Sequence, residues 1–378
     1  MTSGFWGQAG AARATQPRDE PLGELELVHA FADGPMPTGV TVSATGRIFF
    51  CYPRWGDEVV FTVGELVDGA VRPYPSPELN SPSSEADPDA LVSVQSVVVD
   101  GMDRLWILDT GSPLFRPTRH GGPKLVCVDI ASDTVVRTIL FPEDVALPTS
   151  YLNDVRFDLR RGSGFAFITD SSDRGPNGIV VVDLGSGESW RRLHDHSTTK
   201  AQPRSEFVPM VEGRVFLQRP PEGPAEPVTM GADGIAISAD GSRLWYCPLA
   251  SRRWYSVEVD ALCDRERNEL AVCETVTDEG DKGGGADGLE SDDSGRIYAT
   301  SYEHNAILRR LPTGELQTVA HDERLLWPDT LSLASDGYLY VTANQLHRQP
   351  SYQGGQDLRA RPYALFRVAV DAGPVRLR

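Results

Sequence analysis

Two short apolar runs joined by a tight polar turn recur six times along this chain, and that repeat limits the possible folds more than any other feature. The clearest copy is Gly234 to Val257, GIAISADGSRLWYCPLASRRWYSV. Alternating Ile235 and Ile237 lead into Ala239-Asp240-Gly241-Ser242, and a second run follows from Arg243 to Cys247. Alternation around an Asp-Gly turn is the signature of a β-hairpin. The other returning strands start at Arg47, Arg104, Gly164, Arg296 and Tyr338. The unit therefore recurs roughly every 40 to 80 residues, the spacing of a repeat architecture.

A third run follows each hairpin: Val59-Phe61, Lys124-Ile130, Gly178-Leu184, Trp254-Val259, Ala306-Leu311 and Ala364-Val370. Fourth strands are predicted at Ala70-Tyr74, Thr134-Phe141, Glu188-His194, Ala271-Val276 and Leu316-His321. Four antiparallel strands per unit, arranged around a channel, make an all-β, six-bladed β-propeller. The sixth unit has no fourth strand of its own. Glu24 to Phe31, ELELVHAF, has no hairpin partner and is predicted to fill that place, closing the last blade and removing the exposed edge. Residues 1–22 read as a flexible tail, and 23–378 as one propeller. With 36 Gly and 28 Pro in 378 residues, long helices are excluded; Asp260 to Glu269 is the one stretch predicted to hold a helical turn or two.

The net charge of −18 excludes nucleic acid and anionic membranes as partners, because neither would attract such a chain. No apolar run reaches transmembrane length, and the first twenty residues lack the apolar core of a signal peptide. The five cysteines are odd in number and lack metal-type spacing. The expectation is a cytoplasmic, monomeric protein with reduced thiols, without an organic cofactor, whose partner is a small molecule.

Strand direction places every hairpin turn on one rim and every long connection on the other: 75–94, 111–123, 197–232 and 343–363. Long loops gathered on one rim of a rigid scaffold mark a binding mouth. The innermost strands enter beside the channel at that rim, and their leading residues include Asn153, Asp154, Asp233, Asp287 and Asp329. Asn153, Asp233, Asp287 and Asp329 thus form a candidate ring for a divalent cation such as Ca²⁺, which takes hard oxygen ligands. Crowded carboxyls also raise one another's pKa, which suits a general base, so Asp233 and Asp287 are candidate catalysts. The bland alternative is that each Asp caps backbone N–H groups at its strand entry. Second strands ending at the same rim deliver Tyr52, Trp55, Asp109 and Tyr302 as candidate ligand contacts, and His304 as a candidate acid or base.

Met102-Asp103-Arg104-Leu105-Trp106-Ile107-Leu108-Asp109-Thr110-Gly111 resembles the "DRLWVLDSG" motif of the major royal jelly protein/Yellow family. Asp233 to Val257 is similar to its "DGISGMALSP…LYYSPVAS…LYYV". Tyr151-Leu152-Asn153-Asp154 and Ala343-Asn344-Gln345-Leu346-His347 resemble its "YLND" and "SNRLQ". The resemblance spans most of residues 24–370. It implies a six-bladed propeller that binds small aromatic amines at its mouth, with dopachrome-converting tautomerase activity in some insect members. It also implies that Asn344 faces the ligand. The chain departs from the family in lacking a secretion signal and in its odd cysteine count. More distantly, Asn153-Asp154 and Ala286-Asp287-Gly288-Leu289 resemble the gluconolactonase–regucalcin motifs "ND" and "PDGL". Those propellers hold a divalent cation and open lactones, but their N-terminal metal-binding glutamate has no counterpart near Pro37-Thr38-Gly39. The expected function is that of an enzyme of isomerase, tautomerase or lactonase type acting on a small cyclic or aromatic metabolite. The competing class is a non-catalytic carrier of a small aromatic ligand.

Overall fold

Each of the six repeats folds into its own four-stranded antiparallel sheet, paired in chain order from the channel outward. The computed structural model describes residues 20–378. The innermost strands are Val40–Val42, Val94–Val99, Leu152–Asp158, Ala232–Ile237, Leu289–Ser291 and Pro328–Leu333. Each packs against the innermost strand of the next blade, and the first packs against the sixth, so the ring is closed. The outermost strand of blade 6 is Leu25–Phe31, antiparallel to Tyr363–Ala369, with Leu25 opposite Val368 and Phe31 opposite Tyr363. Most of the expected tail, 1–22, lies outside the described residues. Leu22 and Gly23 are already tied to blade 5, their N–H groups donating to Thr318 and Val319.

The repeated turn has a chemical reason. In blade 2 the buried Asp100 accepts from the N–H groups of Met102 and Arg104 and from the Trp106 indole. In blade 5 Asp292 accepts from the N–H groups of Ser294 and Arg296 and from the Tyr298 hydroxyl. One carboxylate thus fixes both the turn and the aromatic two residues into the returning strand. Between blades the alternating apolar side chains interdigitate. Phe49, Val97, Leu105 and Val126, for example, form the seam of blades 1 and 2.

Two expected strands are displaced. The third strand of blade 1 is Val63–Val67, not Val59-Phe61, because Val63 is the residue that pairs with Cys51. The fourth strand of blade 4 is Thr277–Asp281, and Ala271-Val276 begins instead within the short helix Glu269–Cys273. Asn268 caps that helix by accepting from the Ala271 N–H, and Val272 is buried beneath it. The turns expected at Asp260 to Glu269 are two short helices at either end of it, Val259–Cys263 and Glu269–Cys273.

The innermost strands share a device that governs the site. In four of them the register slips at the leading residues, between Val94 and Ser96, Leu152 and Val155, Ala232 and Ile235, and Pro328 and Leu331. These are β-bulges, which release a residue from pairing and turn its side chain. A small hydrogen-bonding side chain on the second strand latches the strand entries of blades 3 and 6 to the next blade. Thr169 accepts from the Asp154 N–H and donates to the Asp233 carbonyl. Thr342 accepts from Thr330 and donates to Thr38. In blade 1 the latch is a thiol: Cys51 accepts from Gly39 and donates to the Gln95 carbonyl at 3.0 Å. Glycine follows the acidic residue at 234 and 288 because a Cβ there would sit 2.4 Å from the carbonyl oxygens of Asp287 and Asp329.

The latch makes a prediction. Cys51→Thr should keep the stability of the parent, whereas Cys51→Val, which leaves the latched groups unpaired, should lose about 1–3 kcal/mol in urea unfolding. Equal stability of the two variants would show that the thiol serves only as packing.

Candidate active site

The bulges aim Gln95, Asn153, Asp233 and Asp329 at the channel axis, and Asp287 joins them from just before Leu289–Ser291. Together they floor an open pocket of about 800 Å³, a volume that includes the solvent at its mouth. Its walls are Trp55, Phe115, Tyr151, Met230, Leu249 and Tyr352, delivered by the loops of the long-connection rim. Trp55 stacks on Phe115 at 5.4 Å between centroids and donates its indole N–H to the Tyr151 hydroxyl at 2.7 Å. The Tyr151 hydroxyl in turn donates to Gln95 at 2.9 Å. The pocket is therefore aromatic along part of its wall, with Arg116, Asp173, Arg174 and Gln349 also lining it, and acidic below.

The three floor carboxyls are nearly buried, at 5, 7 and 3% exposure for Asp233, Asp287 and Asp329. Burial pushes all three well above the usual carboxylate range, and the nearby charge of Asp154 pushes each further. Asp233 and Asp287 line the same floor side by side, and each raises the cost of ionising the other, so a proton held between them would relieve the crowding. Asn153 supports Asp233. Trp327 donates its indole N–H to Asp287 Oδ2 at 2.7 Å. Asp329 accepts from Asn344 at 2.6 Å and from the Thr330 hydroxyl at 3.0 Å. Asp154 is turned below the floor, where it accepts from Ser96 and pairs with Arg156 at 3.0 Å.

An oxygen-only donor set of this kind has the chemistry that Ca²⁺ takes. Each carboxyl is engaged by its neighbour, an indole or an amide, and among the described residues no three His, Cys, Asp or Glu side chains are grouped to hold a metal.

The expected ligand contacts divide sharply. Trp55 lines the pocket. Asp109 does not: it turns inward, accepts from the N–H groups of Val92, Ser93 and Gly111, and pairs with the buried Lys124 at 3.1 Å. Tyr52 lies in the apolar cluster with Phe31 and Phe50. Tyr302 donates its hydroxyl to the Leu249 carbonyl and lies flat on Trp327. His304 is exposed on the rim, outside the pocket lining. Asn344 is fully buried behind Asp329, and its carbonyl oxygen accepts from the Leu346 N–H. Apart from the exposed His304, these side chains end their strands at the expected rim but turn away from the pocket, to where burial and partners are available.

Asn344 is thus a support for the floor. Asn344→Ala should cost about 1–3 kcal/mol of stability, since it strips a donor from a buried carboxyl. An unchanged denaturation midpoint would show that Thr330 alone holds Asp329.

The geometry agrees with what comparison finds. The family model described as Major royal jelly protein matches residues 92–361. The chain belongs to that family. Its relatives include Protein yellow of Drosophila melanogaster and of Drosophila erecta, each 27% identical over 243 residues. That alignment covers 62% of this chain but only 43% of the Drosophila proteins, so this royal jelly-type propeller spans less than half the length of those relatives. Among solved structures, a luciferin-regenerating enzyme superposes with a TM-score of 0.57 at 13% identity, covering 94% of this chain and 99% of that one. A calcium-binding regucalcin from Agrobacterium tumefaciens gives 0.55 at 15%, covering 93 and 98%. A gluconolactonase from Xanthomonas campestris gives 0.52 at 13%, covering 95 and 92%. At those identities the likeness is one of fold. No helix among the described residues is long and apolar enough to cross a membrane.

Sequence reading missed Trp327, Phe115 and Tyr352. Trp327 carried a signal, an aromatic directly before the Pro328-Asp329 strand entry. Phe115 and Tyr352 end single 3-10 turns within the long connections, which carry no such signal.

Proposed function

We propose that this protein is an enzyme that moves a proton on a small cyclic or aromatic metabolite held at the channel mouth, with Asp233 and Asp287 as its acid–base pair. The observation that carries this reading is the pair of buried carboxyls, Asp233 and Asp287, side by side on the floor of an aromatic-walled pocket. Two crowded carboxyls share one proton, so the pair offers a base and an acid within one contact. A tautomerisation needs both: the ionised oxygen takes a proton from one ring position, and the protonated one returns a proton to another. Opening a lactone needs the same two steps, the proton leaving an attacking water and arriving on the departing alkoxide. The flat walls of Trp55, Tyr151 and Tyr352 suit a ring, and the luciferin-regenerating and gluconolactonase propellers have the same fold. The five unpaired cysteines support a reducing, cytoplasmic setting, and the strong negative charge supports a small molecule over nucleic acid or membrane as the partner.

The test is a panel of small lactones and of tautomerisable indolic and catecholic compounds, assayed for binding by calorimetry and for turnover, with and without chelator. At least one member should be turned over in the presence of chelator. Asp233→Asn and Asp287→Asn should lower that turnover by about 10²–10⁴-fold, the span usual for a lost general acid or base, while binding persists. Binding without turnover in the parent protein would make it a carrier. Loss of turnover on chelation would give the floor to a metal ion instead.

A further inference from the structure

Trp327 is fully buried, yet its backbone lies at φ +57, the left-handed region that a bulky side chain enters at a cost. It also precedes Pro328, which ordinarily keeps the residue before it extended. A conformation like this persists only where the surroundings impose it. Here the indole lies flat on Tyr302, with centroids 4.4 Å apart and planes 6° apart, and packs on His347 at 5.7 Å and 21°. Tyr302 is anchored by its hydroxyl to the Leu249 carbonyl at 2.7 Å, and His347 by Glu212 at 2.7 Å. The Trp327 carbonyl accepts from the Asn344 N–H. The net result is to direct one donor, the indole N–H, at Asp287 Oδ2.

We infer that Trp327 is a positioning residue: its N–H fixes the rotation of the Asp287 carboxyl and keeps Oδ2 an acceptor, so that any proton on Asp287 sits on Oδ1. The inference rests on the reading of Asp233 and Asp287 as a proton-sharing pair and adds the group that orients it. A tryptophan suits the task because its indole N–H donates and cannot accept. The donor therefore never competes for the proton of the pair, as a hydroxyl or an imidazole would.

Infrared difference spectra of the full chain test this at neutral pH. The parent protein should show the carbonyl stretch of a protonated carboxyl, and the stretch should disappear or change in Asp233→Asn and Asp287→Asn. In Trp327→Phe, which keeps a ring and removes the donor, the stretch should move to higher frequency. In Tyr302→Leu, which loosens the stack and keeps the donor, it should move less than in Trp327→Phe. A stretch present in the parent and unmoved in Trp327→Phe overturns the inference while leaving the carboxyl pair standing. Equal movement in Tyr302→Leu assigns the effect to packing and also overturns it. The absence of any such stretch in the parent removes the pair, and the inference with it. If Trp327→Phe does not fold, the seven indole N–H resonances answer the question in Asp287→Asn. One of them should shift relative to the parent, and none shifting overturns the inference.

Discussion

A chain lacking residues 1–31 should lose its cooperative unfolding transition, whereas one lacking only 1–19 should melt where the full chain melts. Leu25–Phe31 is the outermost strand of blade 6 and pairs there with Tyr363–Ala369. Without it, Tyr363–Ala369 becomes an open edge, with unpaired backbone groups that invite association. Phe31 also reaches across to blade 1, edge-on to Phe50 at 5.0 Å and to Tyr52 at 6.4 Å. Leu25 is buried with Leu331, Leu339 and Val368. Burying such side chains contributes about 1.5–3 kcal/mol each, and each ladder hydrogen bond about 1 kcal/mol. The sum is comparable to the whole stability of a typical domain, roughly 5–15 kcal/mol. The ring therefore depends on a strand distant in sequence from the blade it completes. Calorimetry of the two truncations checks the point, and equal melting temperatures would refute the closure argument.

The architecture was legible because each blade writes its own hairpin: period-two apolar runs around a short polar turn, Asp-Gly or Asp-Ser-Gly in four of the six. Where that code lapses, the reading slips. Thr277–Asp281, TDEGD, is an outer strand with no apolar face, and its place is visible only as the partner of Arg253–Glu258. Ala271-Val276 looks like a strand by composition, but Asn268 starts a helix there. The floor of the site was legible for a different reason. Six-fold repetition carries equivalent strand entries to one axis, so Asn153, Asp233, Asp287 and Asp329 converge whatever their separation in sequence. The same symmetry cannot say which way the other strand ends turn. Asp109 caps its own loop, Asn344 backs Asp329, and Tyr52 and Tyr302 pack between blades, because each finds burial and partners there. The direction of Trp327 depends on a positive φ that no propensity predicts.

Asp287→Asn is expected to separate stability from chemistry. The carboxyls of Asp233 and Asp287 are raised by burial and by neighbouring negative charge, so the folded protein holds protons that the unfolded chain has released above about pH 4. Where the native state binds more protons, stability falls as pH rises. The stabilising share of each group is complete below the unfolded pKa near 4 and is lost as pH climbs through the raised folded value. Each unit by which the folded pKa exceeds the unfolded one corresponds to about 1.4 kcal/mol. An amide at 287 carries no such charge and can still accept the Trp327 N–H. The variant should therefore match or fall below the parent at pH 4–5, gain on it steadily as pH rises, and exceed it by about 1–3 kcal/mol at pH 8. Turnover should be lost over the whole range. Denaturant unfolding of both proteins across pH 4–8 supplies the comparison. If the two stability curves run parallel, Asp287 is no more easily protonated in the folded protein than in the unfolded one, and the acid–base pair at the channel mouth does not exist.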